Sequence, residues 1–413
     1  MRILLIHNYY QQPGGEDAVF EQEAGLLRDA GVTVETLTFT NESFDGTLVR
    51  TLRSGVKALY NTQSGKRLDQ VIARFRPDLV HIHNLFYTAS ASVIRVARQR
   101  KVPVVMTLHN YRLVCVSGLL MREGLVPCET CLSQTIALAG IRHACFRESY
   151  LQSAQLSLTT LLHKLTGIWR SVNRFVVLTE FARQKILQSS LKLRPDQVVV
   201  KPNFVADVGA ADVEHRQAFF LFIGRLSAEK GIDVLLDAAR ARSFPLRILG
   251  DGPLATEVMR AAAAHPTIDY QGWQSRTAVI DALKTCRALI VPSVWYEGLP
   301  TVLLEAFAAG TPIICSDQDN LNQIITDGQT GLLFRTGDSN DLIRAVGQVD
   351  EQPELRRKLA RHSRLEYVRY SKEAAREAII RLYTDTIQSA GGRTSAQGLP
   401  PEPPDQVTAQ NPA

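Results

Sequence analysis

At 413 residues the chain exceeds what one hydrophobic core usually serves, so two domains of roughly 150 to 200 residues are expected. A 45% hydrophobic and 21% charged composition excludes a wholly disordered or fibrous chain. The net charge of +6 conceals an asymmetry: residues 1 to 205 hold 25 Lys and Arg against 15 Asp and Glu, an excess of +10, and the remainder carries −4. Charge alone leaves nucleic acid, anionic lipid, a phosphorylated substrate and an ordinary solvated surface open as partners of the first half.

In chain order, the strand candidates of the first half are ILLIH (3 to 7), TVETLTF (33 to 39), LVHIH (79 to 83), VPVVMTLH (102 to 109) and RFVVLT (174 to 179). Their unbroken Val, Ile and Leu content suits parallel strands covered on both faces. MRILLIHNYY offers only about four apolar residues before His7, too few for a signal-peptide core, and no run of about 18 apolar residues follows. A cytoplasmic location is therefore expected. Six cysteines make no dense disulfide framework in a chain of this length.

The second half repeats the pattern with FFLFIG (219 to 224), LRILG (246 to 250), IDYQG (268 to 272), ALIVPS (288 to 293) and TPIICSD (311 to 317). Helices fit between these runs, as in GIDVLLDAARA and TVLLEAFAAG, the latter ending on a glycine suited to a helix C-terminus. Alternation of this kind signals doubly wound α/β architecture, and its repetition predicts two Rossmann-like lobes. The expected division is 1–205 for the first lobe, with a cysteine-containing insertion at about 112–150, and 206–370 for the second. Residues 353 to 388 read as helix, of which 371–388 form a C-terminal helix. The Gly-, Pro-, Ser- and Gln-rich stretch at 389–413 cannot build a core and reads as disordered.

Chemistry concentrates in PSVWYEGLPTVLLEAFAAGTPIICSD, residues 292 to 317. Glu297 and Glu305 have seven residues between them, the first on a loop and the second about one turn inside an apolar helix. A loop entering a helix turns free backbone N–H groups outward, so Gly298, Leu299, Pro300 and Thr301 suit a diphosphate. Glu305 is placed to accept from ribose hydroxyls, and Glu297 from the sugar being moved. Taken alone, both glutamates would read better as helix-start charges meeting the macrodipole, and it is the surrounding sequence that turns the reading.

A second segment, FIGRLSAEKGIDVLLDAA, sets Arg225 and Lys230 on the loop after a strand. Two cations at that edge can neutralise a diphosphate as it leaves, in the region where doubly wound sheets bind ligands. ILGDGPL adds a glycine-bearing loop at the next strand end.

The combination of GRL…EKG, GDGP and EGLP…E resembles glycosyltransferase family 4, and the resemblance covers most of residues 1 to 388 in order. It implies the GT-B fold: two Rossmann-like doubly wound lobes facing a cleft, with the C-terminal helix returning to the first lobe. The implied activity is retaining transfer of a hexosyl-type sugar from a UDP- or GDP-sugar to a cell-surface polysaccharide or lipid-linked glycan. No cofactor, catalytic metal or nucleic acid is implied, and weak contact with the inner face of an anionic membrane is. The resemblance assigns the diphosphate to Arg225 and Lys230, the donor sugar to Glu297 and the ribose to Glu305. It sets Gly14 and Gly15 in a glycine loop facing the donor phosphates or the acceptor, although turn-forming glycines read the same way.

His109 in VVMTLHNYR matches the family's histidine beside the transferred sugar, against the plain reading of a satisfied strand-end histidine. His83 and Asn84 end a neighbouring strand and either line the acceptor site or cap the strand. Cys115, Cys128, Cys131 and Cys145 follow in the spacing C-x12-C-x2-C-x13-C, which leaves a structural zinc site, disulfides and free thiols open, with His143 as a substitute ligand. Rival activities are a GT-B sugar-nucleotide epimerase and a non-catalytic nucleotide-sugar-binding protein. A nicotinamide enzyme would need G-x-G-x-x-G after a strand, which neither PGGEDAVF nor GRLSAEKG supplies.

Overall fold

The computed structural model describes residues 1–10, 14–41, 59–122 and 126–391. The tail read as disordered lies outside the described residues from 392 onward, as do positions 11–13 just before Gly14.

The first lobe is a six-stranded sheet of β1 (Arg2–Tyr9), β2 (Thr33–Thr40), β3 (Leu79–Ile82), β4 (Val104–Leu108), β7 (Arg174–Val177) and β8 (Val198–Val200). The numbering skips a small antiparallel ribbon of β5 (Met121–Arg122) and β6 (Val126–Pro127), which sits in the cysteine-containing stretch between β4 and β7. Strand order is β2-β1-β3-β4-β7-β8, with every pair parallel. The apolar runs behave as their composition requires. In β1, Leu4 and Ile6 enter one core while Ile3 and Leu5 enter the core on the opposite face, the two-residue period of a pleated strand.

The second lobe comprises β9 (Phe220–Ile223), β10 (Leu246–Leu249), β11 (Ile268–Gly272), β12 (Ala288–Val291), β13 (Ile313–Ser316) and β14 (Leu332–Phe334). They are ordered β11-β10-β9-β12-β13-β14 and are again parallel throughout. In both lobes the chain winds outward in one direction and then in the other, from β1 and β3 in the first and from β9 and β12 in the second. The divergence leaves a crevice at the carboxyl ends of those strands, where doubly wound sheets hold ligands.

Four helices position the site: α1 (Gly15–Asp29), α2 (Ile232–Arg242), α3 (Thr301–Ala309) and α4 (Lys372–Ser389). The continuous helical reading of 353 to 388 divides into Pro353–Glu366 and α4, with a 3-10 turn at Tyr367–Tyr370 between them. Although it follows the second lobe in sequence, α4 packs on the first. Ile379, Leu382, Tyr383 and Ile387 are buried with Ile3, Leu5, Phe20 and Leu27, and Lys372 Nζ reaches Asp29 Oδ2 at 2.7 Å. Between the lobes, residues 201–212 run without helix or strand.

Sequence reading missed β8, β14 and the ribbon, because strands of two or three residues leave no periodic run to detect. Ile379 is fully buried in the first lobe's core. Ile379→Ala should therefore cost about 2 to 5 kcal/mol, seen as an earlier denaturant midpoint for the first lobe. An unchanged midpoint would mean that α4 does not dock there.

Candidate active site

The loop leaving β9 carries Arg225, and a 3-10 turn at Ala228–Lys230 brings Lys230 beside the loop leaving β12. This approach depends on Gly231. With φ at +71°, it lies so close to the second loop that an added Cβ would stand 1.9 Å from the Pro292 carbonyl oxygen, which only glycine tolerates. The Val294 amide donates to the Glu229 carbonyl at 3.0 Å and fastens the two loops. A Cβ on Gly250, at φ +142°, would likewise stand 1.9 Å from the Gly224 carbonyl oxygen, so β10's loop also closes on β9's.

Lys230 Nζ donates to Glu297 Oε1 at 2.6 Å, and Ser293 Oγ donates to the same oxygen at 2.6 Å. Glu297 is buried, a costly place for a carboxylate unless it is paired and hydrogen-bonded. The ammonium and the hydroxyl meet that requirement. Its Oε2 has no protein partner among the described residues and stays available to a ligand hydroxyl. Asn320 Nδ2 donates to the Glu297 carbonyl at 2.6 Å and holds the loop from behind.

Arg225 is exposed, and its guanidinium makes no ion pair or hydrogen bond among the described residues. It borders a cavity of about 690 Å³ together with Gly224, Gly250, Asp251, Trp273 and Gln274. Trp273 is 76% exposed at the rim of this cavity, an unusual position for so large an apolar ring. Helix α3 starts at Pro300 without a side-chain cap, which leaves the amides of Thr301 and Val302 unpartnered by backbone. One turn further on, the half-buried Glu305 has no hydrogen bond among the described residues. Burial pushes its carboxyl above the usual range, opposed by Arg276.

An Asp-x-Asp sequence, Asp317 to Asp319, does follow β13. Both carboxylates are exposed, and Asp317 Oδ1 accepts from Asn322 Nδ2.

The lobes meet where the Glu297 loop faces β4. A Cβ on Gly298 would stand 3.4 Å from the His109 carbonyl oxygen, and the rings of Phe181 and Tyr296 lie 4.9 Å apart. His109 directly follows β4 and lines a second cavity together with His83 and Asn84. The His109 imidazole is held well below the usual histidine range by burial and by His83. His83 is buried behind it, with Nδ1 3.3 Å from His109 Nε2 and Nε2 3.1 Å from Glu23 Oε1.

Asn84 is engaged on both sides of its amide. It donates to the Asn8 carbonyl at 2.9 Å and to Glu16 Oε1 at 2.8 Å, and it accepts from the Phe86 amide at 2.9 Å. Burial pushes Glu16 up to about 7, against the pull of Arg112. Gly14 caps α1, its amide donating to Asp17 Oδ2 at 2.8 Å. A Cβ at Gly14 or Gly15 would meet no described atom within 4 Å.

Cys115, Cys128, Cys131 and Cys145 are free thiols in one neighbourhood. Burial and the three other sulfurs push Cys145 up to about 11. Among the described residues, the trio whose ligand atoms lie within 4.8 Å of one another is Glu23, His81 and His83, and no cysteine or His143 joins it. Lys201 Nζ, 2.7 Å from Glu23 Oε2, already supplies a positive charge to that trio.

Glu16, Glu23, Lys201 and Trp273 went unread in the sequence. Glu23 did leave a signal, standing beside Ala24 in the Phe20, Ala24, Leu27 stripe that α1 buries, where a carboxylate is out of place unless it has partners. Lys201 and Trp273 sit outside any periodic segment and left none.

Comparison with known proteins follows the same division. A model described as "Glycosyl transferase 4-like domain" matches residues 14–203, and one described as "Glycosyl transferases group 1" matches 209–366. Alpha-D-kanosaminyltransferase of Streptomyces kanamyceticus is 29% identical over 44% of this chain and 50% of its own. The O-antigen chain mannosyltransferase C of Escherichia coli is 28% identical over 41% of this chain and 47% of its own. The chain thus spans about half the length of these curated relatives. Among solved structures, sucrose-phosphate synthase from Thermosynechococcus elongatus superposes with a TM-score of 0.69 at 17% identity, over 94% of this chain and 99% of its own. Anabaena HepE, in complex with UDP and glucose, superposes with a TM-score of 0.61 at 15% identity, over 92% of this chain and 99% of its own. With both lobes matched in order and two parallel-sheet domains meeting at their carboxyl edges, the chain belongs to the family-4 type of glycosyltransferases and has the GT-B fold.

Proposed function

We propose that the chain transfers a hexosyl group, with retention and without a catalytic metal, from a UDP- or GDP-sugar to a surface polysaccharide or lipid-linked glycan. The observation that carries this reading is the pair of cations at the second lobe's crevice, Lys230 fixed on Glu297 and Arg225 beside the cavity without a partner among the described residues. The ribose falls to Glu305 and the diphosphate to Arg225, Lys230 and the first amides of α3. The cavity at Trp273 suits the nucleobase. The UDP bound to HepE favours UDP as the base-bearing half, and the O-antigen mannosyltransferase favours a glycan acceptor.

In this mechanism the bond from the anomeric carbon to the β-phosphate oxygen breaks, and the acceptor oxygen bonds to that carbon on the same face. The acceptor's proton passes to the departing diphosphate. The two cations stabilise the charge that collects there, and Glu297 Oε2 and His109 orient the sugar as it passes through an oxocarbenium-like state.

The first lobe's excess basic charge favours loose attachment to an anionic membrane. No helix among the described residues is long and apolar enough to cross one. Sedimentation with anionic vesicles should show binding that disappears as salt shrinks the Debye length from about 10 Å at 0.1 M to about 3 Å at 1 M. Binding indifferent to salt, or none at low salt, would count against attachment by charge.

Arg225→Ala should lower kcat about 100- to 1,000-fold, corresponding to about 2.7 to 4 kcal/mol of transition-state stabilisation. Lys230→Ala should do the same and also leave Glu297 without its counter-charge. Glu305→Ala should chiefly raise the donor's KM, because ribose contacts change little during transfer. Near-normal kcat in both cation variants at saturating donor would mean that the leaving group sits elsewhere.

A further inference from the structure

Behind His109 lies a network of buried polar side chains. Glu23, on α1, receives three neighbours. Lys201 Nζ is 2.7 Å from Oε2, and Oε1 lies 3.1 Å from His83 Nε2 and 3.0 Å from His81 Nδ1. Tyr383 Oη is 2.6 Å from His81 Nδ1, and His81 Nε2 is 2.8 Å from Thr107 Oγ1. Lys201 begins the segment that leaves the first lobe for the second, and Tyr383 lies on α4, which brings the chain back. Both crossings between the lobes therefore meet in this one network, Lys201 at the Glu23 carboxylate and Tyr383 at His81.

The hydrogen-bond directions along this chain are fixed by elementary valence. Burial alone would raise the Glu23 carboxyl, but the Lys201 ammonium, 2.7 Å from Oε2, holds it well below the usual carboxylate range. Glu23 is thus an ion and only accepts, so His83 carries its proton on Nε2. Burial and the neighbouring His81 push His83 down to about 4, so the ring is neutral and its Nδ1 is a lone pair. That lone pair faces His109 Nε2 at 3.3 Å, and a bond forms only if His109 is protonated on Nε2. His109 Nδ1 is then the lone-pair nitrogen. It has no protein partner among the described residues and is not sealed from solvent.

We propose that Glu23 is a positioning residue which, through His83, locks His109 in the Nε2–H tautomer, so that His109 meets the substrate as a hydrogen-bond acceptor at Nδ1. This rests on the reading of His109 as a group beside the transferred sugar. It implies that His109 takes the proton end of a substrate hydroxyl and does not donate to the leaving phosphate. The carboxylate fixes the imidazole's orientation from behind, as outer-shell carboxylates do for ligating histidines.

The test is 15N-histidine NMR of the full chain without substrate, with signals assigned from His83→Gln and His109→Gln. His109 should show a protonated Nε2 and an unprotonated Nδ1. In Glu23→Gln/Lys201→Met, which removes both members of the buried ion pair together, His109 should become a mixture of tautomers. In the same variant kcat should fall about 10- to 100-fold with donor KM little changed. If the double variant does not fold, Glu23→Asp with Lys201 retained serves instead, and its shorter reach should loosen the tautomer preference. A His109 protonated on Nδ1 in the wild type overturns the proposal, as does a tautomer indifferent to every Glu23 variant. Because the tautomer is read without turnover, an absence of sugar transfer would overturn the functional reading and leave this measurement standing.

Discussion

The second lobe's chemistry hangs on one ion pair, Lys230 to Glu297, which joins the loop after β9 to the loop after β12. Those two strands are neighbours in the sheet whose connections run in opposite directions, so their loops diverge and leave a crevice. The pair ties the two loops together across it. Glu297 is nearly covered and Lys230 is partly open, with side-chain exposures of 6% and 23%. Removing one partner of a buried pair typically costs about 3 to 5 kcal/mol, because the other charge is left uncompensated. Gly231 permits the approach, Ser293 completes the carboxylate's bonding, and Asn320 anchors the loop that carries it. Arg225 has no hydrogen bond or ion pair among the described residues and borders the cavity.

The first lobe uses the same device for a different purpose. There the buried carboxylate is Glu23 and its cation is Lys201, and the same carboxylate meets His83; the role proposed for it is orientation of histidines, where the role proposed for the second lobe's pair is at a diphosphate. In each lobe a buried glutamate with a lysine partner stands behind the atoms that face the cleft. The lobes meet at Gly298 and His109, so the two rigid centres lie on opposite sides of one contact. Such preorganisation matters most for groups that stabilise charge as it develops, because they then need not move during the reaction.

The fold was legible because β1, β3, β4, β9, β12 and β13 are buried on both faces and so read as unbroken apolar runs. The residues expected on the donor side fall within two short segments, around Lys230 and around Glu297, and the fold brings those segments into contact. The Glu23 network was not legible, since it draws on positions 23, 81, 83, 201 and 383, and only folding brings them together. His83 and Asn84 were visible as strand-end residues, but their tasks were not, since His83 backs His109 and Asn84 ties Glu16 to β1's end. The cysteines present the opposite case. Their spacing was conspicuous, while their sulfurs do not gather into a three-ligand set among the described residues.

The central claim is that protein cations and helix amides take the place of a divalent ion at the diphosphate, even with Asp317 and Asp319 close behind the site in sequence. Steady-state transfer measured immediately after EDTA addition, with and without added Mn²⁺ or Mg²⁺, tests it most directly. The account predicts unchanged initial rates. A slow loss over hours that Zn²⁺ alone prevents would assign a structural metal to the cysteine set and leave the claim intact. Immediate loss of activity, restored by Mn²⁺ or Mg²⁺, would contradict it.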